Sequence, residues 1–390
     1  MLHKLVLSNP KLRKLVPQEF KRLLKSAFFS SEYELAVWQS NNPYCGTSVE
    51  WGTDQFNSNV KIGILYDPAH YHRYYISACL DLKLDFEVIN ILGNKWIEKV
   101  EQSKCDALVV WPHLNNLYIK DAFDERIYLL EHVMGKLVYP RFYDIYLLDN
   151  KRRVRDWLMA HHLPIPETNC FYSRQEAEQF LQETSYPVVS KTVRGSVARG
   201  VHILRSREEA SRLVKQVFGR GIVPHNMDPR MIQWDFILFQ EYLPEVREQR
   251  MIRIGKSYLA INKVIRGDFH SGSGTMLWAK PDDEVLNLTK RISDMGGFES
   301  MNVDFFLAQD GRVLVNELHP LFHGPEILVE DLKGRYLFNE SLDSWAFEAG
   351  NYYRNYCCNL RLINVLDMLN ETPNWDWLVK PAFGLANIPN

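Results

Sequence analysis

From residue 60 onward the chain alternates short apolar runs with amphipathic stretches. Val60-Lys-Ile-Gly-Ile-Leu-Tyr66, Phe86-Glu-Val-Ile-Asn90 and Ala107-Leu-Val-Val-Trp111 read as strands, with helical segments between them. That alternation predicts a parallel sheet with crossover helices. Ligands of such sheets bind beyond the strand C-termini, so Asp67, His70, His113 and Asn115 fall on the expected substrate side. The basic run Lys151 to His161 predicts a helix, stopped by Pro164 and Pro166. Ser173 with Glu176, and Ser206 with Glu209, match capping boxes at the starts of two further helices. Between these helices, residues 186–204 read as a strand, a tight turn and a second strand. Alternating runs follow at 237–243, 250–254, 258–265, 301–307 and 312–318, interrupted by a helix at 283–295, which predicts an antiparallel sheet with a helix on one face. Segment 219–235 reads as a loop over a cleft or an insertion, and 341–369 as helix.

The expected fold class is therefore mixed α/β and α+β: an N-terminal parallel α/β domain, a central α+β unit and a C-terminal antiparallel sheet domain with helices. The boundaries drawn from the pattern are a helical extension at 1–58, the three units at 59–145, 146–236 and 237–330, and a helical extension at 331–390.

Composition narrows the function classes. At 390 residues the chain can bury a large core, and 46% hydrophobic with 24% charged residues is ordinary for a folded globular protein. A formal net charge of -2 gives no electrostatic reason to expect nucleic acid or an anionic membrane. No apolar run is long enough to span a bilayer, and MLHKLVLSNPKLRKLV lacks a secretory cleavage pattern, although its basic amphipathic character leaves membrane-surface docking open. Six cysteines, two of them adjacent at Cys357-Cys358, make neither a disulfide framework nor a metal-ligand spacing, and the expected location is the cytoplasm.

The candidate chemistry lies in polar residues set among apolar ones. Asp304 and Glu317 each sit between apolar neighbours at the ends of what reads as one hairpin, Asn302-Val-Asp304-Phe-Phe and Val315-Asn316-Glu317-Leu-His319-Pro320. Two such acids repel each other in a partly dry site unless a cation joins them, and magnesium takes carboxylate and phosphate oxygens. Lys191 ends a valine-rich strand immediately before Gly195, Ser196 and Gly200, residues that let a backbone nest bind phosphate oxygens. A wet sheet face and a plain hairpin turn explain these residues equally well when taken singly. Lys151 opens a helix, where a cation opposes the helix dipole unless an anion lies nearby. At the strand end Gln240-Glu241-Tyr242-Leu243, backbone groups can read the edge of an adenine whose faces rest on aliphatic side chains, with Glu241 accepting from its amino group. Arg250, Arg253, Lys263 and Arg266 follow, and period-two alternation places Arg250 and Arg253 on opposite faces.

These residues resemble the ATP-grasp superfamily over about residues 60 to 325, in particular the ribosomal-protein glutamate ligase, D-alanine–D-alanine ligase and glutathione synthetase types. The resemblance rests on Lys191 ahead of Gly195-Ser196-Val-Ala-Arg-Gly200, Lys151 ahead of Ile165-Pro166-Glu-Thr168, Gln240-Glu241-Tyr-Leu243, Arg250, and Asp304 with Glu317. It implies an ATP-grasp fold and an ATP-dependent ligase that joins a carboxylate to an amine through an acyl phosphate, releasing ADP and phosphate. It implies nucleotide binding by Lys151, Lys191, Gly195, Ser196, Gly200, Gln240, Glu241 and Leu243. Arg250, Lys263 and Arg266 become catalytic candidates, and Asp304, Glu317 and His319 the candidate ligands of two magnesium ions. Small-molecule carboxylates and amines, amino acids and peptides are the substrates it allows, and a homo-oligomer stays open. The chain departs from the family pattern at Ala198, at His319 where an asparagine is usual, and in Gly267-Asp-Phe-His-Ser-Gly272, which lacks an asparagine. A nucleotide-binding regulatory protein is the alternative that these departures keep open.

Overall fold

The computed structural model describes residues 52–53, 58–112, 114, 116–195, 200–224, 230–263, 276–321 and 333–371. Its first sheet joins β1 (Gly52–Thr53), β2 (Lys61–Leu65), β3 (Asp85–Ile89), β4 (Ala107–Val109) and β5 (Val138–Tyr139) in the order β1-β3-β2-β4-β5. The pairs among β2, β3, β4 and β5 are parallel, and β1 runs antiparallel to β3. The strands are apolar on both faces because helices cover both. Ile62, Ile64 and Phe86 pack with Tyr75, Ala78 and Cys79 of α1 (Arg73–Leu82). Leu65, Ile89 and Leu108 pack on the other side with α2 (Trp96–Ser103) and α3 (Leu117–Tyr128). Asn116 caps α3 by accepting from two backbone amides.

After α4 (Phe142–Tyr146), the helix α5 (Lys151–Ala160) starts at Asn150, whose side chain accepts from the Arg153 amide. The central sheet has the order β6-β9-β7-β8, with β6 (Thr168–Phe171), β7 (Val188–Lys191), β8 (Val201–Leu204) and β9 (Ile237–Glu241). The helices α6 (Arg174–Glu183) and α7 (Arg207–Val217) cover one face, and the predicted caps form: Ser173 accepts from Glu176 N and Ser206 from Glu209 N. One expectation is corrected here, and one strand was not foreseen. The run beginning at Ile237 belongs to this sheet, antiparallel to both β6 and β7, and not to the C-terminal one. β6 went unrecognised because Thr-Asn-Cys-Phe has no apolar alternation and all four residues are only half-buried.

The third sheet has the order β14-β13-β10-β11-β15-β16, with β12 beside β11. Its members are β10 (Arg247–Ile254), β11 (Ser257–Lys263), β12 (Met276–Trp278), β13 (Ser300–Leu307), β14 (Val313–His319), β15 (Gly334–Asn339) and β16 (Ser344–Ala349). The helix α8 (Asp283–Gly296) packs on one face through Val285, Leu286 and Ile292, in a core shared with Met251, Val303, Phe305 and residues of α5. The helix expected over 341–369 is in fact a hairpin followed by a shorter helix, α9 (Cys358–Met368). Ser344-Trp-Ala-Phe-Glu-Ala349 pairs as a strand, and the Asn339 side chain stabilises the turn by accepting from Ser341 N and Leu342 N. α9 packs with α1 and with Ile252, Ile254, Leu259 and Ile261, so the first and third sheets share one core. No helix among the described residues is long and apolar enough to cross a membrane. Of the expected extension at 1–58 only Gly52, Thr53 and Ser58 are among the described residues, and the segment after 371 lies outside them.

Candidate active site

One face of the third sheet carries most of the charge. Arg250 pairs across the ladder with Asp304, Asp304 with Glu317, and Glu248 with Lys263. Alternation along each strand therefore brings Glu248, Arg250, Lys263, Asn302, Asp304, Glu317 and His319 to one surface. Arg253 lies on the opposite face, as expected, bonded to Phe298 O and 3.6 Å from Asp294.

Arg250 forms a fork on Asp304, with Nε 2.5 Å from Oδ1 and Nη2 2.6 Å from Oδ2, and Lys263 Nζ lies 2.6 Å from Oδ2. Lys263 also pairs with Glu248. Burial pushes the Asp304 carboxyl up, but Arg250 and Lys263 outweigh it and hold the group well below the usual carboxylate range. Glu317 is likewise held down on balance, burial being opposed chiefly by Lys151, whose Nζ is 3.5 Å from Oε1. Both acids are therefore anionic at neutral pH. One oxygen of each and a His319 ring nitrogen lie within 4.8 Å of one another, a spacing at which a divalent cation can be held. Oxygen lone pairs remain on both carboxylates beyond those used by Arg250, Lys263 and Lys151, so the donor set fits such an ion.

A β-bulge lies beside this cluster. Asp304 pairs with Glu317 and Phe305 with Val315, which leaves Asn316 as an extra residue. The insertion keeps both Val315 and Leu318 in the core although they are three positions apart. Asn316 instead lines a pocket of about 430 Å³, open to solvent, between α5, β14 and the central sheet. Val154, Leu158, Ile165, Leu238 and Val315 make its apolar walls, Gln240 and Thr168 contribute polar groups, and Lys151 and Lys191 also line it. Lys191 Nζ donates to Asn316 Oδ1 at 2.9 Å, and burial lowers its pKa to about 8, with Lys151 acting in the same direction and Glu317 against.

The glycine turn is tied to the head of α5. Lys151 N donates to Val193 O and Lys151 Nζ to Gly195 O at 2.7 Å, while Gly195 N donates to the Asp149 carboxylate at 3.1 Å. Gly200 has φ +81°, and a Cβ there would stand 1.9 Å from Thr192 Oγ1, so only glycine fits.

The candidates divide accordingly. Lys151, Lys191 and Gln240 line the pocket; Arg250, Lys263, Asp304, Glu317 and His319 form the adjoining charged face; Gly195 and Gly200 bound the turn. Glu241 does not face the pocket, contrary to expectation. As Gln240's neighbour on β9 it points the other way, accepting from Glu167 N at 2.8 Å and pairing with Arg312 at 3.0 Å. Leu243 lies beyond the end of β9 and outside the pocket lining. Asp67 and His70 are buried past the end of β2. Ser196, Ala198, Arg266, His113, Asn115 and His270 lie outside the described residues. Three participants were not anticipated. Glu248 was legible, because it stands two positions before Arg250 on the same strand. Asn316 was signalled by the adjacent polar pair Asn316-Glu317 inside an apolar alternation, the mark of a bulge. Asp149 reaches the glycine turn through tertiary folding alone and had no local signal.

Residues 156–325 match the family model of the ATP-grasp domain. Among curated proteins, the chain is 27% identical over 199 residues to the N5-carboxyaminoimidazole ribonucleotide synthase of Aquifex aeolicus, covering 50% of this chain and 51% of that protein. It is 24% identical over 177 residues to the alpha-aminoadipate–LysW ligase LysX of Sulfurisphaera tokodaii, covering 44% of this chain and 59% of that protein. The aligned region thus spans little more than half the length of either relative. Among solved structures, D-alanyl-alanine synthetase A from Vibrio cholerae superposes with a TM-score of 0.52 at 12% identity, over 80% of this chain and 99% of that one. The N5-carboxyaminoimidazole synthetase of Staphylococcus aureus gives 0.51 at 12% identity, over 84% and 81%. At these identities the structures speak to the fold alone, and that fold agrees with the sequence match and with the order of the three sheets. Residues 156–325 thus carry an ATP-grasp domain.

Proposed function

We propose that the chain is an ATP-dependent ligase that activates a carboxylate as an acyl phosphate and transfers the acyl group to an amine, releasing ADP and phosphate. The observation that carries this reading is the junction of an apolar pocket with a buried face on which two anionic carboxylates meet two lysines. Relatives that form carbon–nitrogen bonds support the reaction class.

In this reading the adenine lies between Leu238, Ile165 and Val315. The Gln240 amide nitrogen donates to Thr168 Oγ1 at 2.9 Å, which leaves its carbonyl oxygen to accept from the 6-amino group. Lys151 and Lys191 turn their ammonium groups to the phosphates, exchanging Gly195 O and Asn316 for phosphate oxygens. Asp304 and Glu317 would hold divalent cations, proposed as two ions, whose chemistry is to draw charge from the β- and γ-phosphate oxygens.

A carboxylate oxygen of the substrate then attacks the γ-phosphorus in line, and the bond to the β-phosphate oxygen breaks to give ADP. The amine attacks the acyl carbon next, phosphate leaves with the bonding pair, and the amine proton passes to solvent or a base. Arg250 and Lys263 offset the negative charge that accumulates in both steps. The carboxylate and amine are proposed to be small molecules, amino acids or a peptide.

Replacing Glu317 with Gln tests the assignment. Carboxylate-dependent ADP release should fall by on the order of 100-fold or more, with the circular-dichroism spectrum and melting temperature of the folded chain retained. Turnover equal to that of the parent would overturn the role given to Glu317.

A further inference from the structure

We propose that His319 is itself a metal ligand through Nε2, and that the site therefore takes a first-row transition ion of the manganese class in preference to magnesium. This rests on the nucleotide-ligase reading above and concerns the ion of that same site.

The geometry defines which nitrogen is available. His319 Nδ1 lies 2.9 Å from Leu321 O, and only an N–H can serve a carbonyl, so Nδ1 carries the proton and Nε2 keeps its lone pair. Histidines that bind metals are held in this way, the far nitrogen donating to a backbone carbonyl while the near one faces the ion. The carbonyl is itself supported, because the preceding Pro320 O accepts from Ser300 Oγ at 2.8 Å and from the buried Arg361 at 3.3 Å. The Asn302 amide lies 3.3 Å from Nδ1, and Asn302 Oδ1 is a buried oxygen with no partner.

The lone pair of Nε2 points to where positive charge already sits. Arg250 Nη2 lies 3.1 Å from Nε2 and 2.6 Å from Asp304 Oδ2, so one cationic nitrogen bridges the imidazole and the carboxylate. Nε2 and Oδ2 are 3.6 Å apart, a span two ligands of one ion can occupy. Arg250 keeps a hold on Asp304 through Nε and Oδ1 when Nη2 gives way. The completed donor set is two carboxylates and one imidazole. Magnesium favours an all-oxygen shell and sheds water reluctantly, whereas transition ions gain from a nitrogen donor.

The test uses the full chain with the β,γ-methylene analogue of ATP and either Mn2+ or Mg2+, comparing the parent with His319→Asn. Competition titration should show tighter binding of Mn2+ than of Mg2+ by the parent. His319→Asn should erase that preference by lowering Mn2+ affinity on the order of 10- to 100-fold, the scale on which metal sites respond to loss of a supporting group. Pulsed electron paramagnetic resonance of the Mn2+ complex should show coupling to one imidazole nitrogen, shifted by 15N-histidine labelling and missing in the variant. The labelled parent alone gives this readout if the variant does not fold. A bound Mn2+ without histidine coupling, or a preference unchanged in His319→Asn, overturns the proposal and leaves the ligase reading standing. No metal-dependent binding of the analogue overturns both.

Discussion

Lys191 brings its ammonium into a site where burial lowers its pKa to about 8, and a bound polyphosphate reverses that penalty. The free folded chain therefore holds this proton less firmly than the unfolded chain does. Its stability contribution is unfavourable below about pH 8 and is relieved as the pH rises from there towards the ordinary lysine value of 10.5. Nucleotide affinity moves the other way, since binding needs the proton. Calorimetric titration should find the dissociation constant for ATP level below about pH 8 and rising up to about tenfold per pH unit above it, with the dependence removed in Lys191→Met. Asp304 and Glu317 are both held below the ordinary carboxylate range, so neither contributes to this slope. At the scale of single residues the sequence was informative wherever a charge interrupts an apolar strand, as at Lys191, Asp304 and Glu317. It was misleading at Glu241. The phrase Gln240-Glu241 contains two residues able to meet an adenine amino group, and only the register of β9 decides that Gln240 faces the pocket while Glu241 serves Arg312.

The elements that hold these side chains are legible to differing degrees. Strands β10, β11 and β13 pair with one another in unbroken register, so their side chains alternate between faces and the shared face of Arg250 and Asp304 followed once that pairing was known. The bulge at Asn316 breaks that alternation, and a period of two applied without it would put Val315 and Leu318 on opposite faces when both are in the core. β6 and the β15–β16 hairpin were missed for different reasons. β6 lacks apolar alternation and pairs with β9, distant in sequence, whereas the β15–β16 hairpin has local partners and strand-favouring Tyr336, Phe338, Trp345 and Phe347, a signal that was misread as helix. The glycine turn offers a test at this scale. Gly200→Ala places a methyl against Thr192 and forces an alanine to φ +81°. It should destabilise the chain by about 1–2 kcal/mol or more from the left-handed backbone alone, and weaken nucleotide binding further by displacing the turn. Thermal melts with and without ATP separate the two effects, and a variant equal to the parent in both would contradict the role given to the turn.

Across the whole molecule, α9 and the segment before it join the first sheet to the third. Arg354 forks onto Asp81 of α1 with both contacts at 2.5 Å, and Asn355 and Asn359 each donate to the same carboxylate at 3.0 and 3.0 Å. Removing the acid takes away the carboxylate shared by a buried guanidinium and two amides, so Asp81→Ala should lower unfolding stability by about 3–5 kcal/mol in urea titration, and a loss under about 1 kcal/mol would contradict the account of this junction. The pairing spans more than two hundred residues and left no trace in the local pattern, unlike the order of the three units, which the changes in periodicity announced. The junction holds the first sheet against the third through the core that they share.

The central claim is that ATP phosphorylates a carboxylate at this face, and hydroxylamine tests it without knowledge of the natural amine. The chain, incubated with ATP, a divalent ion and a panel of carboxylates, is predicted to form a hydroxamate from at least one of them, detected by mass, with one ADP released per hydroxamate and neither product from Glu317→Gln. Tight ATP binding accompanied by no hydroxamate and no carboxylate-dependent ADP across the panel, or hydroxamate formation undiminished in Glu317→Gln, would contradict it.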